Sequence, residues 1–228
     1  MSKSTRFFNL AAAPKSAKRD AGKQLQIKIQ NGDNGAEILI YEQIGEDYWG
    51  DGISARSVVD FLNANRQKPV EVRINSPGGF VYDGLTIYNA MASHSGRVTV
   101  TIEGLAYSAA SFIAMAGDHV RMYPASDIGI HRASVITIGN QKDHQASREW
   151  LATIDEHLID IYQAKSGRPR KEIVGWIDGV SDGTVFSAAQ AKQIGFCDEI
   201  IGNSSKGTNS MSVMNRAKMQ LLRSRAGA

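Results

Sequence analysis

Two stretches of this sequence carry residue types that could do chemistry. Gly104-Leu105-Ala106-Tyr107-Ser108-Ala109-Ala110-Ser111-Phe112 carries a serine in a stretch directly after the β-branched run that ends at Ile102. A serine at a strand-to-helix junction can expose its Oγ while the helix start offers unpaired amides and the positive end of its dipole. Small residues on both sides leave room for a substrate. On these residues alone, Ser108 also reads as a plain N-cap and Ser111 as one more small helical residue. In Ile74-Asn75-Ser76-Pro77-Gly78-Gly79, a strand stops at consecutive glycines before a helix. Glycines there let backbone N–H groups face an oxyanion or a peptide with no Cβ in the way. Many βα turns carry Pro-Gly-Gly only because the chain must reverse.

A serine hydroxyl at neutral pH needs a base within hydrogen-bond reach, most often histidine. The chain has five histidines. His94 falls at a helix end, His119 in a turn, and His144 and His157 on the wet side of a long helix. His131 differs, because it ends the apolar run Asp127-Ile128-Gly129-Ile130. A parallel sheet would carry that end to the same edge as the Ser108 turn. A carboxylate should hold the imidazole tautomer. Asp182 and Asp178 are candidates, both in the turn-rich segment Trp176–Thr184, where either could be an ordinary turn former.

The elements that must position these groups follow from periodicity. Strands are expected at 37–41, 70–74, 98–102 and 119–123, and helices at 54–65, 83–94 and 108–116, with Ser54 and Asp83 as N-caps. Strand and helix alternating at this pace mean stacked βαβ units and a mostly parallel sheet. From about Asn140 to Lys165 one long amphipathic helix is expected. Its stripe of Trp150, Leu151, Ile154, Leu158, Ile161 and Tyr162 must be buried by the chain's own core or by a partner subunit. Helices near 170–177 and 187–194 follow, the second ending at Gly195.

Composition bounds the rest. With 228 residues, 42% hydrophobic and 21% charged, the chain fits one sizeable α/β domain with short arms. No apolar run approaches the roughly 20 residues of a spanning helix. The single cysteine, Cys197, allows neither an internal disulfide nor a thiolate metal site, fits a reducing cytoplasm, and reads as a buried structural thiol. The net charge of +3 is unevenly spread: residues 1–30 carry +6 and residues 203–228 carry +5, leaving −8 between them. The expected organisation is a basic arm over 1–35, one domain over 36–202 and a basic Ser/Gly-linked tail over 203–228. Basic arms on an acidic body suit acidic protein surfaces or nucleic acid, or are simply solvated tails.

Taken in register, Ile74–Gly79, Gly104–Phe112 with Met115-Ala116-Gly117, Ile130-His131 and Phe186-Ser187-Ala188 resemble the proteolytic subunit of the Clp protease over roughly 36–202. The resemblance implies a crotonase-like spiral of ββα units with the long helix as a "handle" through which rings of subunits pair. It implies a serine endopeptidase without cofactor or metal, acting on proteins through an acyl-enzyme on Ser108, with His131 as base and the Gly78 and Ala109 amides as oxyanion hole. A homo-oligomeric ring is expected, with an unfoldase, capsid or scaffold partner, no membrane and no specific nucleic acid. The family's catalytic Asp falls at Gly183 here, one residue from Asp182, so the third member is Asp182, Asp178 or a substitute orienter. The divergent arms look closer to the Clp-like proteases of tailed bacteriophages, which process capsid or scaffold proteins. Other readings are a ring or scaffold component that has lost its Asp, and a crotonase-type acyl-CoA enzyme, which would need a glutamate base near the glycine turns. Glu103 is the nearest acid there. A serine–lysine peptidase would have to draw on Lys142.

Overall fold

The computed structural model describes residues 35–46, 52–180 and 183–202; both basic arms and Asp182 lie outside them. Strands β1 (Ala36–Ile40), β2 (Val70–Ser76) and β3 (Val98–Tyr107) run parallel, with Ile38 opposite Val72 and Val72 opposite Val100. Side chains alternate across a strand, and burial here alternates with them. The inward face carries Ile38, Ile40, Val72, Ile74, Val100 and Ile102, all fully buried. Helices α1 (Ala55–Ala64) and α2 (Val81–Ala92) are the crossovers and add Val58, Phe61, Leu62, Ile87 and Met91 to the same core.

The outward face is ionic rather than covered by a second helical layer. Arg73 pairs with Glu37 at 3.2 Å and with Glu103, and Arg121 reaches Glu71 at 2.7 Å and Thr101 at 2.9 Å. Half-exposed pairs of this kind contribute about 1 kcal/mol or less each. Stability therefore rests on the apolar face.

The sheet order is β1-β2-β3-β4-β7, where β4 is His119–Met122 and β7 is Glu199–Ile200. Strand β5 (Asp127–Ile130) lies off this path. It pairs in parallel with the end of β3 and antiparallel with β6 (Thr184–Ser187). Strand β3 runs five residues past the expected stop at Ile102 because it changes partner, from β4 over Thr99–Ile102 to β5 over Leu105–Tyr107. The short helix α3 (Ala109–Ala114) follows at once.

Helix α4 (Gln141–Ser166) opens with a capping box on Asn140 and stops at Gly167 in the left-handed region. Its stripe goes into the chain's own core, with Ile154, Leu158, Ile161 and Tyr162 buried. Helices α5 (Arg170–Asp178) and α6 (Ala188–Ile194) complete the chain, the latter capped by Ser187 and closed by Gly195 at φ 90°. The mixed α/β class with a parallel sheet is as expected. One local expectation differs. Helix α2 begins at Val81 with Phe80 in the N-cap position, so Asp83 lies inside the first turn. His119 opens β4, within the strand expected over 119–123 rather than in the turn also considered for it, and pairs with Glu199 at 3.1 Å.

Trp176, Phe186 and Phe196 meet edge-on at 5.3–5.8 Å, and Tyr162 packs on Phe196 at 5.5 Å, fastening β6 to α4, α5 and the 195–198 turn. Phe196 is fully buried. Phe196→Ala should cost about 3–5 kcal/mol in equilibrium denaturation, whereas Val185→Ala on the exposed face of β6 should stay within about 0.5 kcal/mol of the parent.

Candidate active site

The parallel pairing of β3 with β5 places Tyr107 beside Gly129 and directs the Ser108 N–H onto the Gly129 carbonyl at 2.9 Å. Ser108 then takes φ 51°, ψ −124°, the sole positive φ outside glycine among the described residues. A Cβ in that region costs on the order of 1–3 kcal/mol and persists only where the surroundings enforce it. They do so here on both sides. The Ser108 carbonyl accepts from Ser111 Oγ at 2.5 Å and from the Ser111 N–H at 3.0 Å. Ser111 Oγ lies 2.7 Å from the buried Tyr162 hydroxyl. Because Ser111 gives its one proton to the Ser108 carbonyl, Tyr162 must be the donor to Ser111. Burial raises the Tyr162 pKa, which keeps that proton in place.

This conformation is not that of an ordinary N-cap. An N-cap residue has extended backbone and a side chain that accepts from the first turn. Ser108 has neither, and its side chain makes no capping bond. A strained serine between a strand and a helix, lining a cavity, instead resembles the geometry of a nucleophile turn.

Ser108 and His131 line one cavity of about 590 Å³, together with Gly79, Ala109 and an apolar wall that includes Phe80, Phe112, Trp150, Ile154 and Leu158. The expected juxtaposition of the Ser108 turn with the end of β5 is thus present. Neither Ser108 Oγ nor His131 Nε2 is engaged by another described residue, and no direct bond joins them; such contacts commonly tighten only with substrate bound. Nδ1 of His131 lies 2.6 Å from the Arg132 carbonyl. A carbonyl only accepts, so Nδ1 carries the proton and Nε2 is left as the basic nitrogen.

The other expected site residues are placed as follows. Ala109 begins α3 and lines the cavity, and its N–H has no acceptor among the described residues. The Gly78 amide instead turns to Ser76 Oγ at 3.2 Å, while Gly79 lines the cavity and its N–H has no acceptor among the described residues. Gly78 matters in another way. At φ 93°, a Cβ on it would stand 2.5 Å from the Tyr107 carbonyl oxygen, 2.6 Å from Ser108 Cβ and 2.7 Å from the Ala109 nitrogen. Asp178 does not approach the His131 ring; it holds the Arg132 guanidinium. Gly183 stacks on His131, where a Cβ would meet His131 Cβ at 2.6 Å. Glu103 is bound by Arg73 and is not among the described residues that line the cavity, none of which is a carboxylate. Lys142 is an exposed residue at the start of α4 and is likewise not in the lining.

Sequence reasoning missed Asp155. It is buried on α4, accepting the Ala133 N–H at 2.9 Å and the Arg132 guanidinium at 2.8 Å. Its signal was an acid on the apolar stripe, in line with Leu151, Leu158 and Tyr162.

An α/β fold with a strained serine at a strand-helix turn, a tautomer-fixed histidine and open backbone donors defines a site suited to acyl transfer. The Clp protease family model matches residues 26–204, and the chain belongs to that family. The ATP-dependent Clp protease proteolytic subunit of Deinococcus radiodurans is 30% identical over 139 residues, which is 60% of this chain and 67% of that one.

Gly78→Ala should push a methyl into the Ser108–Ala109 backbone. Labelling of the site by a fluorophosphonate should fall on the order of 100-fold or more, the loss typical of a displaced oxyanion donor, with helical content by circular dichroism retained.

Proposed function

We propose that this protein is a serine endopeptidase in which Ser108 forms the acyl-enzyme and His131 Nε2 takes its proton. The observation that carries this reading is the backbone of Ser108, held at positive φ in a position where an N-cap would be unstrained. His131 removes the hydroxyl proton as Ser108 Oγ attacks the scissile carbonyl, then returns it to the leaving amine. The N–H groups of Ala109 and Gly79 are the donors for the oxyanion, and Gly78 is the spacer that lets Ser108 sit against the turn. A crotonase-type reaction needs an acid-base glutamate, and Glu103, the acid considered for it, is held by Arg73 instead.

The apolar wall of Phe80, Phe112, Trp150, Ile154 and Leu158 supports a preference for a large apolar side chain just before the cleaved bond. Self-association into rings is supported by Ile136 and Ile138, each about three-quarters exposed in the irregular segment before α4. The basic arms support a substrate or partner with an acidic surface, such as an assembling capsid or scaffold protein. The Clp relationship alternatively supplies an unfoldase as partner.

A second reading, an inactive ring or scaffold component, is favoured by one observation: the family's aspartate position is occupied by Gly183. Active-site labelling separates the two. A fluorophosphonate should modify the unaltered chain and not Ser108→Ala, with casein cleavage lost in parallel. An unlabelled parent chain would favour the scaffold. Fluorogenic peptides with Leu, Met or Phe before the scissile bond should be cut at least about 10-fold faster than those with Asp or Lys, given what burying such a side chain contributes. Ile136→Glu should lower the mass measured by light scattering if that segment joins subunits.

A further inference from the structure

Asp155 holds one end of a single peptide group whose other end holds the base. The peptide is the one between Arg132 and Ala133. Its carbonyl accepts the Nδ1 proton of His131 at 2.6 Å, and its N–H donates to Asp155 Oδ1 at 2.9 Å. An amide is planar and rigid, so fixing the direction of the N–H fixes that of the carbonyl. Asp155 also steadies this residue from its side chain, since Oδ2 takes Arg132 Nη1 at 2.8 Å while Arg132 Nε is bound by Asp178.

We propose that Asp155 is a positioning residue for His131, acting through the Arg132–Ala133 peptide in place of a carboxylate bonded directly to the imidazole. The proposal rests on the reading of His131 as the base for Ser108. A carboxylate on one end of an amide polarises it, drawing on the N–H and enriching the carbonyl oxygen, and hydrogen bonds in such a chain strengthen one another. The carbonyl is then a better partner for Nδ1–H, most of all once His131 becomes an imidazolium. The environment fits this role. Asp155 is only 6% exposed within an apolar stripe, a position where a carboxylate costs several kcal/mol unless fully bonded, and both of its oxygens are bonded. Gly183, which leaves no room for a side chain against His131, excludes a direct carboxylate from that neighbouring position.

The test uses two variants of the full-length chain. Asp155→Leu matches the surrounding stripe in size but leaves the Ala133 N–H and Arg132 Nη1 without their acceptor, a loss that lowers stability. Asp155→Asn keeps an oxygen for the Ala133 N–H. The Leu variant should label with fluorophosphonate roughly 100-fold more slowly, as expected when general-base assistance is lost, at a temperature well below its thermal midpoint, which should be lower than the parent's. The Asn variant should stay within about 10-fold of the parent, because its oxygen still orients the peptide. Labelling of the Leu variant at the parent rate, or an Asn variant as slow as Leu, overturns the proposal. Ring-nitrogen NMR of His131 gives a readout independent of activity and of how the Leu variant folds. The parent and Asn variant should show a protonated Nδ1, and an Nε2-protonated ring in the parent overturns the proposal. A parent that shows the Nδ1 tautomer yet never labels refutes the peptidase reading while leaving the positioning of His131 in place.

Discussion

The site depends on the change of partner made by β3. Its first half pairs with β4 and its second half with β5, and only the second pairing brings the Gly129 carbonyl to the Ser108 N–H. That one bond links the strained residue to the strand that ends in His131. If β3 had stopped at Ile102, the chain from 103 to 107 would be a loop, and nothing would hold Ser108 in a conformation a side chain resists. Rigid scaffolding beneath a strained residue is how folds keep functional geometry that local preference opposes.

Helix α4 supplies that scaffolding from behind. At Tyr162 it reaches Ser111, and through it the Ser108 carbonyl; at Asp155 it reaches the peptide that faces His131. These contacts lie two turns apart on the same helical stripe. The stripe is otherwise apolar, so hydrophobic burial sets the position of the helix, and the two polar contacts convert that position into orientation at the site. The aromatic group around Phe196 does the same for β6, the antiparallel neighbour of β5.

Much of this was legible in the sequence, for identifiable reasons. Period-two alternation in 70–74 and 98–102 gave the strands, because one face of this sheet is ionic and the pattern is not blurred by burial on both sides. The end of β5 at His131 followed from strand direction alone. A nucleophile and an N-cap share the same residue type and place, so only backbone angles, here those of no ordinary N-cap, could tell Ser108 from a plain cap. The start of α2 was misplaced because Asp83 looks like a cap, whereas the chain enters the helix from an extended Phe80 locked to Ile44 through its N–H. Which glycine presents its amide to the cavity depends on peptide orientation, a property with no signature in residue type. Asp155 stayed hidden because its partners lie 22 and 23 residues back along the chain.

The dual reach of α4 has a consequence for how this architecture can vary. Ser108 and His131 share one backing element, so a change that tilts or slides that helix disturbs both together. Substitutions along its buried stripe would thus act on the reaction as a whole, and drift in one half of the machinery could not be absorbed by adjusting the other.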